Sequence, residues 1–231
     1  MKKPINITIL LVLVLSIIHP IHAQNTESFR ARFALNGGLT FKTSRAPMDN
    51  NVYYRDYLES VNQGLSASAN MQFFIKDILC IGLNYDYFKK HSAAYIPLYY
   101  GEGSPILDID NTYTMDFLSF SLGLHIAEGR HHYLFQYLIG FMDYKEKGNY
   151  SPYLTITAPN YSVGHCLGQG AMLNYDFLLN NHYALGIELT YFIGSIKKLN
   201  HQLDSSSKIT SLSEPIRINR FSPKIGIRYF F

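Results

Sequence analysis

Nine histidines and two cysteines are the residues of this 231-residue chain best suited to nucleophilic, acid–base or metal chemistry, yet their spacing prepares few of them for it. A serine nucleophile needs a histidine in reach and an acid to orient it. His91 directly precedes Ser92, and His165 stands apart, but neither has an acidic partner at a recognisable spacing. His125, His131 and His132 surround a short turn at Ala127 to Arg130, and His182 follows another at Leu179 to Asn181. His131 and His132 are adjacent, and adjacent strand residues point to opposite faces, so the pair cannot ligate one ion. Cys80 and Cys166 could form a disulfide in an oxidising compartment. They fall on non-neighbouring segments at opposite ends, however, and bridging requires Cα atoms within about 7 Å, so two separate thiols are expected. No catalytic residue, cofactor or metal site is expected, and the chain is not read as an enzyme.

The charged residues offer a different chemistry. Arg30, Arg32, Glu188, Lys224 and Arg228 are far apart in sequence, but each lies on the polar side of a segment in which polar and apolar residues alternate. Period-two alternation marks a strand with two unlike faces. Eight such segments occur: Phe29 to Phe41, about Gly64 to Phe74, Leu79 to Tyr87, about Tyr113 to Ile126, Tyr133 to Phe141, about Gly164 to Phe177, Tyr183 to Ile193, and Phe221 to Phe231. In the first, Phe33, Leu35, Leu39 and Phe41 oppose Arg30, Arg32, Asn36 and Thr40. In the third, Asp86 shares the polar face, and in the sixth Asp176 does. The apolar faces carry almost no charge, which suits hydrocarbon and not the wet face of a soluble sandwich. The expected fold is all-β, an eight-stranded antiparallel up-and-down transmembrane barrel. A ten-stranded version stays open if Tyr53 to Ser60, Tyr95 to Tyr100 or Tyr153 to Thr157 pair as extra strands; otherwise these are hairpins rising above the membrane.

Connection lengths give an independent check. Segments two to three, four to five and six to seven are joined by roughly three to five residues, and the other connections run to roughly twenty or more, as for barrels with short periplasmic turns and long extracellular loops. An eight-stranded barrel is just wide enough to be filled by its own side chains. Charges inside it persist when paired, so Glu188 is predicted to bridge several of Arg30, Arg32, Lys224 and Arg228. Such a network is either a stabilising plug or part of a gated ion or proton path.

Both chain ends point the same way. Lys2 and Lys3, an apolar run from Ile5 to Ile18, Pro20 and Ala23 have the layout of a secretory signal peptide, with cleavage after Ala23 and a barrel domain over residues 24–231. The run is too short for a membrane-spanning helix, which needs about 20 residues. At the other end Lys224, Gly226, Tyr229 and Phe231 resemble the β-signal of Gram-negative outer-membrane barrels, read by the barrel-assembly machinery. With this signal and the period before it, the mature chain resembles small barrels of the OmpA and OmpX type, and more particularly the outer-membrane β-barrel domain family that includes PorT-like proteins. That resemblance implies an integral outer-membrane protein, in contact with outer-membrane lipid and lipopolysaccharide, with a structural, adhesive or secretion-associated role. It transfers no catalytic residue. Some barrels of this size modify lipid A, but the His-x-Ser spacing of the deacylases is absent here.

Composition agrees. Hydrophobic content is 47% with 15% aromatic residues, 19 Tyr, 15 Phe and no Trp, and no segment after the leader is apolar for long enough to cross a membrane as a helix. With Lys2 and Lys3 set aside, the 20 basic residues nearly balance the 17 acidic ones, so no nucleic-acid partner is expected. Tyr53, Tyr54, Tyr57, Tyr95, Tyr99 and Tyr100 lie in the first two long connections among small polar residues. This composition fits either a recognition surface for a protein partner or an interfacial aromatic girdle.

Overall fold

The computed structural model describes residues 30–43, 62–75, 78–97, 106–152, 158–203 and 206–231. The leader and its cleavage point lie outside them, as do Tyr53, Tyr54, Tyr57, Tyr99 and Tyr100. Among the described residues there are ten strands: β1 (Ala31–Lys42), β2 (Gln63–Ile75), β3 (Leu79–Pro97), β4 (Ile106–Glu128), β5 (His131–Pro152), β6 (Ala158–Leu178), β7 (Tyr183–Ile193), β8 (Ser195–Leu203), β9 (Ser206–Arg217) and β10 (Arg220–Phe230).

Eight of them close a ring. Each of β1 to β6 pairs antiparallel with the next, β7 pairs β10, and β10 pairs β1. Closure leaves no open edge there, so every stave has its backbone partners on both sides. In register, Leu35 faces Ala69 on one side and Ile227 on the other, and Tyr175 faces Tyr133 and Ile187. A belt of outward Leu, Ile, Phe and Tyr wraps the ring, with Phe141 73%, Ile225 70%, Phe120 68% and Leu122 61% exposed. Apolar side chains left uncovered on this scale need hydrocarbon around them.

The choice between eight and ten strands resolves in an informative way. β8 and β9 are not additional staves. β8 continues β7 past Gly194, β9 leads into β10 across Ile218 and Asn219, and the Ile218 amide donates to the Gly194 carbonyl at 2.9 Å. The two form a hairpin that pairs with the outer part of β6. The stretch between Ile193 and Arg220, expected to be a long connection, is therefore mostly strand. The same correction applies to β3–β4 and β5–β6, whose ladders run without a break from Leu79↔Leu124 to Pro97↔Ile106 and from His131↔Phe177 to Tyr150↔Ala158. Tyr95 stands on β3, opposite Asp108. At 23, 22 and 21 residues, β4, β5 and β6 are about twice the 9–11 residues needed to cross a bilayer.

The extra length went unread because the alternation inverts. On β4 the outward residues up to Leu118 are apolar, whereas beyond it they are Asp116, Thr114, Thr112 and Asp110, and the inward ones, Asn111 apart, are Phe117, Met115, Tyr113 and Ile109. Outside the belt the wall is an ordinary sheet, wet outside and apolar inside, and a template requiring apolar-out rejects it.

Candidate functional site

The lumen is packed in layers. At the short-turn end Phe230, Leu178 and Ala184 cluster with Phe74, beside the stacked rings of His125 and His132. At the long-hairpin end Phe88, Phe117, Phe192, Met115, Met142 and Met172 form an apolar core with neighbouring aliphatics. Between them lie two charged centres.

In the first, Asp176 serves two guanidinium groups. Arg32 reaches it through Nε at 2.6 Å and Nη2 at 3.0 Å, and Arg228 through Nε at 2.6 Å. Arg32 Nη1 also donates to Gln72 at 2.6 Å. All three charged side chains are fully buried. In the second the arrangement is reversed, and one cation serves two carboxylates. Lys224 Nζ donates to Glu188 at 3.0 Å and to Asp86, while Glu188 also accepts from Asn36 and Ser68 at 2.9 Å and from Asn70. Three cations thus face three carboxylates inside the ring. A buried charge with several charge-assisted partners is held firmly, and the same low dielectric makes loss of a partner costly. Above this layer the Arg220 guanidinium lies 3.8 Å from the centre of the Phe88 ring, joining polar to apolar packing.

The structure therefore brings Arg32, Glu188, Lys224 and Arg228 into the lumen, but not onto one carboxylate. Glu188 meets Lys224 alone among the predicted bases. Arg32 and Arg228 belong to Asp176, and Arg30 is exposed at the edge of the ring. Asp86 and Asp176 complete both centres. Their signal was present, since both occupy inward positions in their segments, but parity does not say which height each reaches.

Both thiols are free, Cys80 buried near the short turns and Cys166 half-buried on β6. His91 contacts Thr112 and Asp110, His165 contacts Asp143, and all of these lie on the outward surface past the belt. Close by, Lys145 donates to Asp116 at 3.2 Å, and that hydrogen bond raises its pKa above the usual lysine value.

The terminal residues do two different things. Lys224 is inward and pinned between Asp86 and Glu188, whereas Tyr229 is packed edge-on to Tyr183 and Phe231 at the foot of the belt. A Cβ on Gly226 would collide with the Leu35 carbonyl, so glycine there permits the close approach of β1 and β10 that shuts the ring.

No protein-family model matches the chain, and no curated protein does. Solved structures do. The chain superposes on a major outer membrane protein from Thermus thermophilus at 12% identity and TM-score 0.52, over 87% of this chain and 99% of that one. It is similar to the outer membrane protease OmpT from Escherichia coli at 8% identity and TM-score 0.51, over 90% and 100% of the two chains. The Ail protein of Yersinia pestis aligns at 11% identity and TM-score 0.48, over 87% and 99%. At such identities the first two likenesses concern architecture alone. Together with the apolar belt and the closed ladder, they make this chain an eight-stranded transmembrane β-barrel of the outer-membrane type.

Proposed function

We propose that the protein is an integral outer-membrane barrel that acts at its outer surface and not through its lumen, in a structural or interaction role carried by the long hairpins. The observation that carries this reading is the filled interior: two charge centres of opposite excess stacked between two apolar layers. Short turns and termini then face the periplasm, and β3–β6 with β8–β9 rise outside the cell. Lys224, Gly226, Tyr229 and Phe231 serve the assembly machinery during insertion, and Arg32, Glu188, Lys224 and Arg228 act with Asp86 and Asp176 as a stabilising plug. The belt contacts outer-membrane lipid and lipopolysaccharide, and the hairpins, together with the tyrosine-rich connections read in the sequence, are where a protein partner would dock.

Conductance tests the filled lumen directly. Reconstituted in a planar bilayer, the protein should give no open-channel steps, and regular steps would overturn the reading. Labelling of an Ile209→Cys variant on intact cells should be complete with a membrane-impermeant maleimide if the hairpins are outside. Co-purification of a specific multi-protein complex would instead favour a secretion accessory.

A further inference from the structure

We infer that a cleft in the barrel wall between β6 and the β7–β8 junction is a binding site for a phosphorylated lipid of the outer leaflet. This rests on the membrane-spanning reading above and adds a specific ligand to it.

The cleft exists because one ladder parts. β6 and β7 pair up to Gln169↔Ile193, and pairing of β6 resumes with β8 only at Gly164↔Leu199. That leaves residues 165–168 on one side facing 194–198 on the other, one residue more. Over the same stretch the β8–β9 ladder is irregular, with Ile196 opposite Ile216 and Lys198 opposite Ser211. Gly168 and Gly194 flank the parting. A Cβ on Gly194 would lie 3.0 Å from the Met142 sulfur and 3.2 Å from the Cys166 sulfur, so these two side chains floor the seam from within. The result is a cleft of about 560 Å³ opening on the outer surface. Elsewhere in the ring no described ladder parts over four residues on either side.

Its two sides differ in chemistry. Leu167, Ile193 and Ile139 are belt residues, and Phe141, the next outward residue along β5, is the most exposed aromatic of the belt. Gln169 and Asn219 stand in the same row as Ile139 and Ile193, and Ser195 and Arg217 stand one row further out, level with Leu167 and Phe141. Lys197 is the next outward residue past Ser195 and is exposed. The carboxylate nearest along β5, Asp143, is held by His165 at 2.6 Å. The belt therefore ends in a slot whose β5–β6 side suits an acyl chain and whose β8–β9 rim offers a guanidinium, a serine hydroxyl and, one row further out, an ammonium. That rim lies at the level where lipid headgroups lie, and charge complementarity selects a phosphate. Neither a free anion nor a neutral lipid uses both sides of the slot.

The chain has no tryptophan, so one introduced indole reports alone. Phe141→Trp places it beside the cleft, and Leu39→Trp places it on β1, away from the cleft. Each variant would be refolded into phosphatidylcholine vesicles containing a minority of phosphatidic acid, with either lipid brominated in turn. In the Phe141→Trp protein, brominated phosphatidic acid should quench as though enriched about fivefold over its bulk fraction, on the scale of one basic residue at the surface; in the Leu39→Trp protein it should quench at its bulk fraction. Adding Arg217→Glu with Lys197→Glu should abolish the difference while gel mobility still reports a folded barrel. Equal quenching at both positions overturns the lipid site and leaves the barrel reading intact. Displacement of the quencher by inorganic phosphate alone overturns the lipid as occupant. Absence of quenching by any lipid in the Leu39→Trp protein would sink the membrane reading itself, and the site with it.

Discussion

Strand β4 is two strands end to end. Its inner half turns Leu118, Phe120 and Leu122 outward and keeps Ser119 and Ser121 inside; its outer half turns Asp110 and Asp116 outward and buries Ile109, Met115 and Phe117. The backbone and its ladder do not change between the halves; the solvent does. In the belt the apolar medium is outside, so the lumen is the polar phase and must satisfy its own charges. In the hairpins water is outside, and the sheet builds a conventional apolar core. The difference shows that alternation reports two unlike surroundings and not which of them lies within.

The sharpest break of the inner half is at its most over-committed carboxylate. Asp176→Asn leaves Arg32 and Arg228 buried without a counter-charge and should cost about 3–5 kcal/mol, read as a lower urea midpoint or failure to refold. A control at this level would be Glu188→Gln. There Lys224 retains Asp86, so a loss equal to that of Asp176→Asn would refute the two-centre description.

Two outward apolar residues then isolate the solvent. Leu122 is 61% exposed and Ile209 69% exposed, one in the belt and one on β9. Leu122→Arg should destabilise the refolded barrel by about 2–4 kcal/mol if it faces the bilayer interior. Ile209→Arg should change stability by no more than about 0.5 kcal/mol. Equal effects would erase the distinction between the halves.

The smallest effect belongs to the exposed pair past the belt. Lys145→Ala should cost under about 1 kcal/mol, less at high salt. Because the hydrogen bond to Asp116 holds the lysine pKa above its ordinary value, the contribution is full below that ordinary value and disappears as pH rises through the raised one. A pH titration of the urea midpoint in alkaline buffer, compared between the two proteins, would show the curves converge there. Curves that stay apart through that range would overturn the pairing.

Much of the belt was legible residue by residue. Tyr183 to Ile193 is β7 as read, and the inward parity of Arg32, Asp86, Asp176, Glu188, Lys224 and Arg228 follows from their neighbours alone. The outer hairpins were not, because their phase inverts at Leu118 and because Gly194 and the irregularity at Ile196/Lys198 break the period of β8. Arg30 carried the right parity and still stands outside, since it lies at the edge of the ring.

By itself the sequence determined the class of wall, its even number of staves and the set of polar residues turned inward, because these depend on neighbours two apart in the chain. Only the tertiary structure decided who meets whom across the lumen. Arg32 and Asp176 are 144 residues apart and come together at one height only when tilt and register close the ring. That height is a sum over successive ladders, and no local pattern encodes it.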